Sequence, residues 1–173
     1  MNVQPRKTSL VLAFAFLMQL LGSHAVVAGP PEACSLLSSS EVAKITGDDA
    51  PILTNIANPN DSQCTYAAKR SPNTTAIVGI SRFDSAAKAQ ERLKLLGDLE
   101  SYKKLLKPGD TIEPDRVAGM PAVFQSIHGR ATMFIVKGSM VVSAGVVRVW
   151  SDGKMEPDRV RSRSLLAAAV GKL

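Results

Sequence analysis

Residues that build metal sites and nucleophilic dyads are scarce in this chain. Its 173 residues include two cysteines, two histidines and one tryptophan. A structural zinc site draws three or four Cys or His ligands. One histidine, His24, lies in the N-terminal stretch, so the rest of the chain offers only Cys34, Cys64 and His128. No metal site is expected, and no cofactor. There is no Gly-x-Ser-x-Gly elbow to expose a nucleophilic serine. Nor is there a phosphate loop or dinucleotide fingerprint: "GMPAVF" and "GDDAP" contain glycine without the spacing that gathers backbone amides round a phosphate.

Long apolar runs are missing too. The longest, Leu10 to Leu21 broken only by Gln19, is about a dozen residues, short of the ~20 that span a bilayer. Basic Arg6 and Lys7 precede it and the small-residue stretch "GSHAVVAG" follows, the order of a cleavable export signal. Ser23-x-Ala25 and Val26-x-Ala28 both present small residues to a signal peptidase, so residues 1–28 are predicted to be removed, with cleavage after Ala25 or Ala28. An exported protein, periplasmic or secreted and without stable membrane insertion after cleavage, is expected. What remains is the size of one domain. It carries 19 basic and 15 acidic residues, a net charge of +4.

That surplus is modest and spread out. Its local clusters are Lys103, Lys104 and Lys107, and Arg159, Arg161 and Arg163. They read as solvated helix faces, and no nucleic-acid partner is expected.

Residues 29–33, "GPPEA", form an extended lead-in that the prolines keep from being helical. A single domain is predicted over 34–173. Ser38 with Glu41 three residues on makes a capping box, and Gly47 ends the helix it opens. "APILTNIA" and "SQCTYAA" read as strands about the turn "NPND". In "TTAIVGISRF", Ala76, Val78 and Ile80 share one face while Ile77 and Phe83 share the other, a strand covered in part on both sides. Asp84 or Ser85 caps a helix marked by Ala86, Ala89, Leu93, Leu96, Leu99, Tyr102 and Leu106, with Gly97 as its point of bending or splitting.

"TIEPDRVAGM" reads as a linker. "PAVFQSI", "ATMFIVK" and "MVVSAGVVRVW" read as three strands joined by the short turns "HGR" and "GS". The last of them is apolar on both faces, the mark of a central strand. "SDGKMEP" reads as a turn before a terminal helix, Asp158 to Lys172, with Val160, Leu166, Ala167 and Val170 on its buried side. The fold class is therefore α+β: an antiparallel sheet of about six strands with helices packed on it, in the order α-β-β-β-α-β-β-β-α. The two halves invite comparison as a pseudo-repeat, but the one literal repeat, "EPDRV" at 113–117 and 156–160, has unmatched flanks and reads as coincidence.

Cys34 could carry a lipid, bind metal, act as a nucleophile or close a disulfide. Pro31, Glu32 and Ala33 are not the apolar pattern that precedes a lipidated cysteine. A catalytic thiolate would have to find His128, which sits in a predicted turn beside Gly129, and nothing local poises either group. In an oxidising compartment the two thiols admit one intramolecular pairing, Cys34 with Cys64. Its loop of about thirty residues would stabilise the fold by about 3 to 4 kcal/mol. Among the acids, adjacent Asp48 and Asp49 follow Gly47 at a helix end and read as a turn. Two sequons, Asn60-Asp61-Ser62 and Asn73-Thr74-Thr75, matter only in a host that glycosylates.

The stretch "ACSLLSSSEVAKITG", followed thirty residues after its cysteine by "CTY", is similar to a class of small exported bacterial domains of unknown function. Their mature part begins Cys-Ser-Leu-Leu-Thr, then Glu-Val and a glycine-terminated helix, with a second cysteine in a Cys-x-Tyr-like strand. Cys34, Ser35, Leu36, Leu37, Glu41, Val42, Gly47, Cys64 and Tyr66 match, and Ser38 stands where threonine is commoner. "VAGMPAVF" is similar to a turn-and-hairpin of the same domains through Gly119, Ala122 and Phe124, with Pro121 as the departure. The resemblance covers 34–68 and, more loosely, 117–173. It implies a disulfide-closed, helix-on-sheet domain and carries no active site.

The function expected on these grounds is a binding or interaction module of the cell envelope without catalytic residues, its partner a small ligand or an envelope protein. A carboxylate-dependent hydrolase, and a structural or inhibitory protein that offers a sheet edge or an apolar patch around Phe124, Phe134 or Trp150, are the alternatives. The sequence leaves ligand, partner and oligomeric state open.

Overall fold

The structure, a computed structural model, describes residues 31–49, 51–68 and 73–173. The predicted signal and its cleavage points lie outside the described residues. Two short helices open the fold, α1 (Ala33–Leu36) and α2 (Ser39–Thr46). The capping box forms as its spacing predicts: the Ser38 side chain accepts from the Glu41 N–H, and the Glu41 carboxylate accepts from the Ser38 N–H at 2.8 Å. Gly47 ends α2 at a φ of 79°, where a Cβ would be strained.

Strands β1 (Ile52–Ala57), β2 (Asp61–Ala67) and β3 (Asn73–Arg82) form an antiparallel meander. Helices α3 (Ala86–Leu96) and α4 (Leu99–Tyr102) follow, split at Gly97. A second meander comprises β4 (Thr111–Val117), β5 (Met120–Ile127), β6 (Arg130–Lys137) and β7 (Met140–Val149). Its hairpins use the two-residue turns whose twist suits a sheet. Ala118-Gly119 and His128-Gly129 have positive φ at both positions, and Gly138-Ser139 has it at the glycine. β8 (Met155–Pro157) and α5 (Arg159–Val170) complete the chain.

The meanders join where β3 pairs antiparallel with β7, giving the order β1-β2-β3-β7-β6-β5-β4, with β8 on β7. The class is α+β with an antiparallel sheet, but of eight strands rather than about six. Both additional strands were hidden by their chemistry. β4, read as a linker, is an edge strand that carries Pro114 and three charges, and β8, read as a turn, is three residues long. Proline and charge are how edges resist further pairing, and they erase the apolar alternation that marks a strand. The helical lead-in also differs: α1 begins at Ala33, the last residue assigned to extended chain.

One face of the sheet carries the main core. Val42, Tyr66, Val78, Met133, Ile135, Val142 and Leu166 are among its fully buried members, from α2, β2, β3, β6, β7 and α5. α5 buries Ser162, Leu165, Leu166, Ala169 and Val170, whereas Val160 is 71% exposed, so it leaves the predicted inward set. The start of α5 is fastened to β7: the Ser162 hydroxyl accepts from the Val146 N–H at 2.9 Å, and the Asp158 N–H donates to the Val146 carbonyl at 2.9 Å. α3 packs instead on the opposite face, through Ala89 and Leu96 against Val141, with Phe83, Phe134 and Val136. Strands paired antiparallel across a two-fold axis normal to the sheet would keep their helices on one face. With α3 and α5 on opposite faces, the halves do not follow such a repeat.

Candidate functional site

Among the described residues, the second face is only half covered. α3 reaches as far as Phe134, and the Gln125 amide nitrogen donates to the Leu96 carbonyl at 2.6 Å at the helix end. Beyond it the side chains of four strands lie open in rows set by the register. One row runs Gln63, Gly79, Ser143, Phe134, and the next runs Thr65, Ile77, Gly145. Thr75 then pairs with Val147, and Val149 with Met155 of β8. These rows enclose a depression of about 460 Å³, lined by Ile77, Thr132, Phe134, Ser143 and Val147 and flanked by Met155 and Arg130. It shares Arg130, Thr132 and Met155 with a second hollow of about 500 Å³ beside His128, and Gln63 and Ser143 with a third of about 280 Å³ beside Ile56. Together they make a trough across the sheet. Ligand pockets commonly hold roughly 300 to 1,000 Å³.

Two glycines shape the floor. A Cβ on Gly79 would stand 2.6 Å from the Ser143 hydroxyl, and one on Gly145 would stand 2.2 Å from the Ala131 carbonyl oxygen. Gly145 thus lets the backbone of β6 come against β7 where their ladder ends, after Met133 meets Ala144. Past that point β7 pairs with β8 instead, and β8 supplies the wall at Met155.

No acid lines the central depression, and its nearest cation, Arg130, makes no ion pair among the described residues. The hydroxyls present are those of Thr75, Thr132 and Ser143. The histidine at the trough's end is engaged elsewhere. Its backbone N–H donates to Asp110 at 2.8 Å, and its Nε2 lies 3.1 Å from the Leu105 carbonyl and 3.7 Å from the Asp110 carboxylate. A carbonyl only accepts, so in this contact Nε2 is the donor. Hydrogen bonds from the backbone N–H of Lys107, and secondarily of His128, hold Asp110 below the usual carboxylate range. Among the described residues no group of three or more His, Cys, Asp or Glu could hold a metal.

The arginines predicted as a solvated face are tied down. Arg159 bridges Glu113 and Asp115 on β4 while its guanidinium lies 4.5 Å from the centre of the Phe124 ring. Arg163 reaches Asp115 at 2.7 Å, and Arg161 reaches Asp158 at 2.7 Å. Burial pushes Asp115 up, but hydrogen bonds from Arg163, the Arg116 N–H and Arg159 together hold it below the usual range. Asp158 follows the same pattern, with burial opposed by Arg161. The two "EPDRV" copies therefore meet, through Arg159 of the second and Glu113 and Asp115 of the first. That contact invests the arginines in holding α5 on β4.

Cys34 and Cys64 are joined in a disulfide that ties α1 to β2. Cys64 is buried in the main core and Cys34 is half-buried against it, on the face away from the trough. Phe124 is buried, Phe134 sits at the inner end of the trough, and Trp150 is 40% exposed after β7, so the three form no common patch. Of the residues that line the central depression, the sequence singles out Phe134 alone, as part of an apolar patch. In the structure α2 and α5 pack on one face and, among the described residues, α3 is the one longer helix on the other, where Val147 and Val149 remain apolar. Compared with family models, with curated proteins and with solved structures, the chain gives no match.

Proposed function

We propose that this protein is an exported, non-catalytic binding module of the cell envelope that holds a small elongated ligand in the trough. The observation that carries the proposal is the uncovered half of the sheet. A central strand exposes Val147 beside Ile77 above a glycine floor, with hydroxyl and amide groups at the margins, an apolar surface with a few polar anchors. Export is supported by the signal-like N-terminus and by the disulfide. Among the described residues no helix is long and apolar enough to cross a membrane.

The hydrolase reading is less well supported. Asp115 and Asp158 are held below the usual range by arginines, the opposite of what a general acid needs, and neither lines the trough. Native mass spectrometry of the exported protein is expected to show a retained molecule, lost in an Ile77→Glu variant that places a charge in the trough. A ligand-free monomer with turnover on an envelope substrate would overturn the proposal.

A further inference from the structure

The geometry points to a long-chain fatty acid, free rather than in a bilayer, as the trough's ligand, its chain over Ile77 and Val147 and its carboxylate at Arg130. This rests on the binding reading above and adds the ligand class. The central depression of the trough, followed along the strands rather than across them, has two unlike ends. Its inner end is closed by Phe134 against the residues packed under α3. Its other end is flanked by Arg130 and Met155. From Arg130 to Phe134 is four residues of β6, and from Ser143 to Val149 six of β7, so the apolar floor runs about 13 to 20 Å at strand rise.

Such a floor suits a flexible chain better than a compact ring system. The absence of a side chain at Gly145 keeps its middle low.

Charge complementarity selects the head group. Arg130, like Arg82, Arg92 and Arg116, has no acid partner among the described residues, and of these four it is the one that lines the depression. Among the described residues no carboxylate lines the central depression to repel an anion, and Asp61 borders the hollow at the far side by Gln63. A guanidinium presents a planar fork to a carboxylate. The hydroxyl of Thr132, next but one to Arg130 on β6 and lining the same two hollows, supplies a further donor.

The experiment is calorimetric titration of the exported, disulfide-bonded protein, stripped of any retained molecule, with tetradecanoate, tetradecanol and butanoate. Tetradecanoate is expected to bind one to one, tetradecanol at least about tenfold more weakly, and butanoate not at all. In Arg130→Gln the acid should lose about tenfold and the alcohol nothing. Ile77→Glu, on an accessible strand face, should abolish binding of both with the melting temperature little changed.

Equal affinity for acid and alcohol, or an unchanged Arg130→Gln, overturns the fatty-acid assignment. If tetradecanoate fails to bind while native mass spectrometry shows another molecule displaced by Ile77→Glu, this inference falls and the binding module stands. If nothing binds and the protein is a dimer that Ile77→Glu dissociates, both fall, and a second copy is the trough's occupant. Co-sedimentation with phosphatidylglycerol vesicles in the absence of tetradecanoate binding also overturns the inference.

Discussion

Glu41 shows how much one side chain holds at the start of this fold. Its carboxylate accepts the Ser38 N–H and meets Lys172 at 2.9 Å, so one residue caps α2 and ties it to the end of α5. Chiefly the Ser38 backbone hydrogen bond, then Lys172, lowers its pKa from 4.5 to about 2. The folded protein therefore favours the ionised form more than the unfolded chain does. That contribution to stability is present above about pH 4.5 and is lost as the pH falls toward 2. Asp115 and Asp158, also held low, act in the same sense. Glu41→Gln should melt lower than the parent near neutral pH and lose less of its melting temperature on acidification to near pH 2. A parent and variant whose melting temperatures fall in parallel would contradict this. Ser38→Ala removes the other half of the cap and should cost about 1 kcal/mol by urea denaturation.

At the scale of elements, β7 is the strand around which the sheet is arranged. It pairs with β3 along its length, with β6 over Met140–Ala144 and with β8 over Val147–Val149. Gly145 stands at the change of partner, against the Ala131 carbonyl. Gly145→Ala must push the β6 backbone away, and is expected to destabilise the fold by about 1 to 3 kcal/mol in urea denaturation. Gly138→Ala, at a turn with nothing near its Cβ position, should owe any smaller loss to its φ of 60° alone.

Much of this arrangement was legible in the chain. The capping box of α2, the hairpin turns and the two-faced apolar pattern of β7 are local, and local chemistry is what a sequence displays. β4 was hidden because its Pro114, Glu113, Asp115 and Arg116 serve an edge and the pairing with Arg159. The trough was hidden because it arises from what is missing above β7, a property of where α3 and α5 pack and not of any residue in the floor.

For the whole molecule, the disulfide closes a loop at the start of the domain: a separation of 30 residues links α1 to β2, while the second meander has no covalent tie. Reduction, or the double variant Cys34→Ser with Cys64→Ser, should lower stability by about 2 to 4 kcal/mol. Comparison of urea transitions with and without reductant checks this, and coincident transitions would contradict it. The buried surroundings of Cys64, with the Tyr66 hydroxyl donating to the Leu37 carbonyl at 2.6 Å, hold α1 against the sheet in the same region.

The two margins of the sheet are unlike. β4 meets the outside with a proline and charges, while β1, "ILTNIA", is uncharged and leaves Ile52, Leu53 and Ile56 exposed, with an irregular register between Ile52 and Thr54. A sheet receptive along one margin only is a terminator, not a link. Two molecules joined through β1 would each use up the margin that accepts a strand, and a third would meet only Pro114 and its charged neighbours. Growth into fibres, the ordinary hazard of an open antiparallel sheet, is thereby limited at its first step.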